Sequence, residues 1–200
     1  MIGYFLSAFP FFALSLFFLI TWISPLSFGE QAVKYALFLM LLEFIVVHSA
    51  GFMGFVVLSR TTKVQKIIRF LGLVLFYSLF AGAFSLAYGD WWPLIAFWCL
   101  SFNRIMVVFT GPLSEEAKSR MQMDWVLGVF LYVVLAIVTT LLPIPALGVS
   151  ERVVAAQGFE MSGEWVEHPQ RVLAFGFLYF GLFGAVELLL SRRAAKPASE

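Results

Sequence analysis

Six stretches of this chain each run for about 20 residues or more with scarcely a charge, near 3–24, 32–58, 67–88, 91–111, 125–144 and 171–190. A bilayer's hydrocarbon core is about 30 Å thick and takes about 20 apolar residues per helix. Backbone groups inside lipid find no water to bond, so only helices and closed barrels cross it, and barrel strands are far shorter than these runs. The reading is therefore all-α: a polytopic integral membrane helical bundle of six transmembrane helices. It forms a single domain over 1–191, followed by a short cytoplasmic tail at 192–200. Composition supports the same solvent, since 62% of the 200 residues are hydrophobic and 12% are charged, where a soluble domain carries about 25% charged residues. The opening residues hold no basic cluster and no small-residue cleavage site, so the first stretch reads as a retained span.

The few charges orient the bundle. If six spans alternate, Arg60, Lys63, Lys66, Arg69, Lys118, Arg120, Arg192, Arg193 and Lys196 share one side, and only Lys34, Arg152 and Arg171 face the other. Cytoplasmic segments collect Lys and Arg, which places both termini in the cytoplasm and, in a bacterium, the chain in the inner membrane. A net charge of +1 offers no bulk attraction to nucleic acid. Trp22, Trp91, Trp92, Trp125 and Trp165 fall near predicted span ends, where indoles favour the headgroup level. Pro143 and Pro145 are expected to stop the fifth span. The longest loop, about 145–170, carries Glu151, Glu160, Glu164 and Glu167 against Arg152 and reads as a solvated acidic segment.

Charge at bilayer depth costs about 2.5–3.5 kcal/mol and generally faces the interior of a bundle. Glu43, His48 and Arg104 qualify, with Asn103 beside Arg104 and Glu187 nearer an interface. At about 100° per residue, Glu43 shares a helical stripe with Val47, Ala50 and Gly54, whereas His48 stands about 140° away. Ala50, Gly51 and Gly54 offer the small surface that lets membrane helices approach closely. Arg104 needs a counterion, so an ion pair between Glu43 and Arg104 is expected, with Glu187 the second candidate. Such a cluster serves either helix registration or the relay of protons, ions or a small solute. Cys99, the only cysteine, reads as a small buried apolar residue and excludes an intrachain disulfide.

"EEAKSR", Glu115 to Arg120, resembles the first motif of the intramembrane metalloprotease family that includes the CAAX-processing enzymes. That resemblance implies further histidine motifs downstream. Here the only later histidine is His168, on the opposite side of the membrane in the alternating topology, so a polar segment flanking the fifth span accounts for these residues. His48 and His168 differ too much in depth to clasp one haem within a single chain. No H-E-x-x-H, G-x-S-x-G, P-loop or dinucleotide fingerprint occurs, so the sequence points to no catalytic residue, no metal and no particular cofactor. Three function classes remain. The favoured one is a subunit or accessory protein without its own catalytic centre, partnered by the lipid bilayer and by other membrane subunits or its own copies. The others are a small transporter or channel built on the buried polar cluster, and an intramembrane enzyme.

Overall fold

The computed structural model describes residues 2–106, 114–159 and 162–194, with the side chains of 2–7, 88, 103–105 and 191–194 outside that description. The described residues are helical and contain no strand. The helices are α1 (Ile2–Ile23), α2 (Ala32–Leu58), α3 (Lys63–Tyr88), α4 (Trp92–Met106), α5 (Glu115–Leu141), α6 (Glu151–Ala156), α7 (Glu164–Glu167) and α8 (Pro169–Ala194). Among the described residues, four helices are long and apolar enough to cross a membrane, at Ala32–Leu58, Lys63–Ala87, Glu115–Leu141 and Pro169–Leu190. Shorter apolar segments lie at Ala8–Ile23 and Trp92–Phe102. Leu75, Leu79 and Leu86 on α3 are 60–70% exposed, a surface that suits lipid and would be an aggregation hazard in water.

Two helices begin earlier than their apolar runs. Thr62 caps α3 through a reciprocal pair with Gln65, so that helix opens at Lys63 instead of 67. The hydroxyl of Ser114 accepts the Ala117 amide, Glu115 and Glu116 occupy the positive end of the helix dipole, and α5 opens ten residues before 125. Lys118 pairs with Glu115 at 2.6 Å and Arg120 with Asp124 at 3.8 Å. These residues, expected in a loop, therefore form a polar first stretch of α5. The expected end of the fourth span, 111, lies outside the described residues.

The chain divides into two compact units, Met1–Met40 with Leu131–Glu200, and Leu41–Phe130. The boundary falls inside α2 and inside α5.

In the first unit α1 packs along α8. Membrane helices gain no hydrophobic free energy by leaving lipid for one another, so close approach and van der Waals contact must hold them. Glycines on α8 supply the room. A Cβ on Gly176 would overlap the ring of Phe18, one on Gly181 would lie 3.0 Å from the Ser15 hydroxyl, and one on Gly184 would lie 3.1 Å from Phe11 Cβ. Ser15 donates to the Phe177 carbonyl at 2.8 Å across the same seam. Tyr132 packs edge-on against Phe175 and Tyr179 and donates its hydroxyl to the Met40 carbonyl at 2.8 Å.

The segment expected to be a solvated acidic loop is folded and anchored. Trp22 donates to the Pro145 carbonyl at 2.9 Å, and the Gly148 amide returns a bond to the Trp22 carbonyl at 3.1 Å. Gln157, only 2% exposed, accepts from the Lys34 amide at 3.0 Å and donates to the carbonyls of Glu30 at 2.8 Å and Val153 at 3.1 Å. Its side chain thereby caps the first turn of α2, which needs partners for its free amides. Glu164 is paired with Arg171. Glu160 lies outside the described residues.

In the second unit, Leu42, Ile45, Met53 and Val56 of α2 pack with Phe70, Val74 and Ala81 of α3 and Phe97 of α4. With the buried Ser49, the α2 positions recur at three- and four-residue spacing, as one buried helix face requires. On α4 the buried positions among the described residues are Pro93, Phe97 and Ser101, each four apart, and Cys99 stands about 200° from Phe97. Cys99 is consequently exposed on the outer face of α4 rather than buried.

Candidate functional site

The polar residues near the middle of α2 do not point one way. Residue 45 is the centre of that 27-residue helix, so at about 1.5 Å per residue Glu43 and His48 lie about 3 and 4.5 Å to either side of it. Glu43 is half-buried. His48 is also half-buried, and its ring turns back on its own helix, 4.1 Å from the centre of the exposed Phe44 ring. A carbonyl oxygen can only accept, so His48 Nδ1 is the donor in its 3.0 Å contact with the Phe44 carbonyl. In a neutral ring this leaves the lone pair on Nε2. Nε2 has no hydrogen-bond partner among the described residues.

The expected partner of Glu43 is Arg104, whose side chain, like that of Asn103, lies outside the described residues. Ser101, on the same helical face as Arg104 by position, is buried. Glu187 is half-buried on α8, three residues beyond Gly184. No group of three or more His, Cys, Asp or Glu residues arranged to hold a metal ion occurs among the described residues.

The small residues of α2 have a clearer outcome. Their partner is α5, and the closest approach falls at Gly51. A Cβ there would overlap the Trp125 indole, whereas one at Gly54 would meet only Met121 Cε at 3.9 Å. Trp125 Nε1 donates to the Val47 carbonyl at 3.1 Å. In a helix that carbonyl lies beneath the side chain four residues on, so only a glycine at 51 leaves it open to an indole. Trp125 is thus a helix-to-helix tie, not simply a headgroup anchor.

Beside this tie lies a groove of about 710 Å³. Its α2 wall is Ala50, Gly51, Phe52, Gly54, Phe55, Leu58 and Ser59, and its α5 wall is Met121, Gln122 and Trp125. Its polar side chains are few, and Ser59 lies at one end. Ser59 donates to the Val56 carbonyl at 2.7 Å and lies 2.8 Å from the Thr61 hydroxyl. Sequence reasoning singled out the α2 half of this groove through its glycines and missed the α5 half. Met121 and Gln122 sit in a segment that looked like a loop, and nothing in the sequence pairs Trp125 with Gly51.

Chemically, the groove can hold an apolar chain or helix face, and Nε2 of a neutral His48 can accept one hydrogen bond. Comparison with known proteins adds no ligand to this picture, because no protein-family model, curated protein or solved structure matches the chain.

Proposed function

We propose that this protein is an integral membrane subunit or accessory protein that packs into a larger membrane assembly and has no catalytic centre of its own. In this reading α1 and α4 join the four long apolar helices to make six spans, and the clustered cations hold both termini on the cytoplasmic side. The observation that carries the proposal is His48 Nε2, an acceptor near the middle of α2, flanked by the exposed ring of Phe44 and without a hydrogen-bond partner among the described residues. An unsatisfied acceptor is costly in hydrocarbon. A donor on a helix from another subunit, or from a second copy, would remove that cost, with Phe44 packing beside it.

The relay reading rests on Glu43, His48 and Arg104, and the Arg104 side chain lies outside the described residues. Native mass spectrometry of the chain extracted in mild detergent tests the proposal. A stoichiometric partner or a homo-oligomer is expected, and His48→Leu should weaken that association about threefold, in keeping with the about 0.6 kcal/mol typical of polar contacts between membrane helices. A bare monomer with His48→Leu indistinguishable from it would overturn the reading.

A further inference from the structure

The groove between α2 and α5 differs in character along its length. Phe52, Phe55 and Met121 line its apolar stretch, while Ser59 marks one end. Ser59 stands just beyond the last turn of α2, and residues 60–69 then carry Arg60, Lys63, Lys66 and Arg69 with no acid among them. This basic segment is folded back onto the C-terminal end of α2, because Lys66 donates its ammonium to the Val57 carbonyl at 2.6 Å. An apolar slot that ends in a hydroxyl, beside a segment of cations, complements an amphiphile with a hydrocarbon tail and a negative head.

We propose that the groove binds an anionic phospholipid, with one acyl chain along Phe52, Phe55 and Met121 and the phosphate at Ser59 within reach of Arg60 and Lys63. A volume of about 710 Å³ falls within the range of ligand sites, about 300–1,000 Å³. Interactions of basic side chains with anionic headgroups add to binding of the chain itself. The inference requires only that α2 and α5 lie in the bilayer. It does not depend on the subunit reading.

Trp125 is a reporter already in the wall. In a variant with Trp22, Trp91, Trp92, Trp98 and Trp165 changed to Phe, its fluorescence can be quenched by bromine carried on lipid acyl chains. The protein is reconstituted in phosphatidylcholine vesicles containing a small fraction of brominated phosphatidylglycerol. Saturable quenching is expected, with brominated phosphatidylcholine weaker by about fivefold for each cation engaged. Gly54→Leu should fill the slot and reduce quenching to the bulk level, and the 3.9 Å gap to Met121 Cε leaves room for its Cβ. Arg60→Gln with Lys63→Gln, which alters no packed side chain, should abolish the preference for the anionic lipid while leaving chain-dependent quenching.

A companion variant retaining only Trp98, an exposed residue of α4, should follow bulk lipid composition with either headgroup, which tests membrane placement separately. In the otherwise unaltered chain, native mass spectrometry should retain one phosphatidylglycerol per chain, and lose it in Gly54→Leu. Trp125 quenching that tracks bulk composition as Trp98 does, or a groove filled by a copurifying helix instead of lipid, overturns the proposal.

Discussion

Replacing Gly176 by Ala adds a single methyl group at the tightest point of the α1–α8 seam. The new Cβ would overlap the ring of Phe18, which is 0% exposed. Phe18 is also stacked on Phe180 at 5.7 Å and edge-on to Phe17 at 5.5 Å, so its displacement disturbs both neighbours. Overpacking of this kind costs about 1–3 kcal/mol, and a rigid, fully enclosed ring places the cost near the upper figure. Alanine recovers about 1 kcal/mol through its better helix propensity. The net loss is about 2 kcal/mol, or about 30-fold in the ratio of folded to unfolded protein. Gly72→Ala on α3 is the matched control, since a Cβ there meets nothing within 4 Å, and it should be neutral or stabilising by up to about 1 kcal/mol. Unfolding by sodium dodecyl sulfate in mixed micelles, followed by Trp fluorescence, measures both. Gly176→Ala proving as stable as Gly72→Ala would refute the claim that glycine is needed for the closeness of α1 and α8.

Two other substitutions probe the polar contacts. Gln157→Leu leaves the Glu30 carbonyl and the Lys34 amide without their partner, and it should cost about 1–3 kcal/mol. Hydrogen exchange at the Lys34 amide should accelerate well before exchange at the centre of α2. Tyr132→Phe removes one hydroxyl, but the Met40 carbonyl keeps its own helical bond, so the same detergent titration should show a loss of about 1 kcal/mol or less.

Much of the helical layout was legible because lipid imposes a crude rule, a long run of apolar residues, and the runs at 32–58 and 171–190 lie close to the helices found. Hydropathy reports where a chain can sit in hydrocarbon, not where its backbone hydrogen bonds begin. That is why the capped starts at Lys63 and Glu115 were missed. Gln157 was hidden for another reason. A glutamine in a polar loop looks solvated until the loop is brought to the start of α2, and the 123 residues between Gln157 and Lys34 give no local sign of it. The helical wheel located the small face of α2 but not its partner, because Gly51 is matched by shape to Trp125, which lies far along the chain on α5. Cys99 was misplaced because every face of a membrane helix is apolar, so composition does not separate the side that meets protein from the side that meets lipid.

The arrangement of the two units also bears on the order in which the chain can be assembled during synthesis. The unit Leu41–Phe130 is one continuous piece of chain, and its tie from Trp125 to Val47 closes over 78 residues. The other unit is interrupted, and α1 meets α8 only after residues 41–130 have been made. Ser15 and the Phe177 carbonyl it binds are 162 residues apart, a delay of about 8–30 s at ribosomal rates of about 5–20 residues per second. Throughout that interval the face of α1 that will receive the α8 glycines remains open to lipid or to whatever factor attends membrane insertion. Helix α1 is thus made long before the helix it packs against.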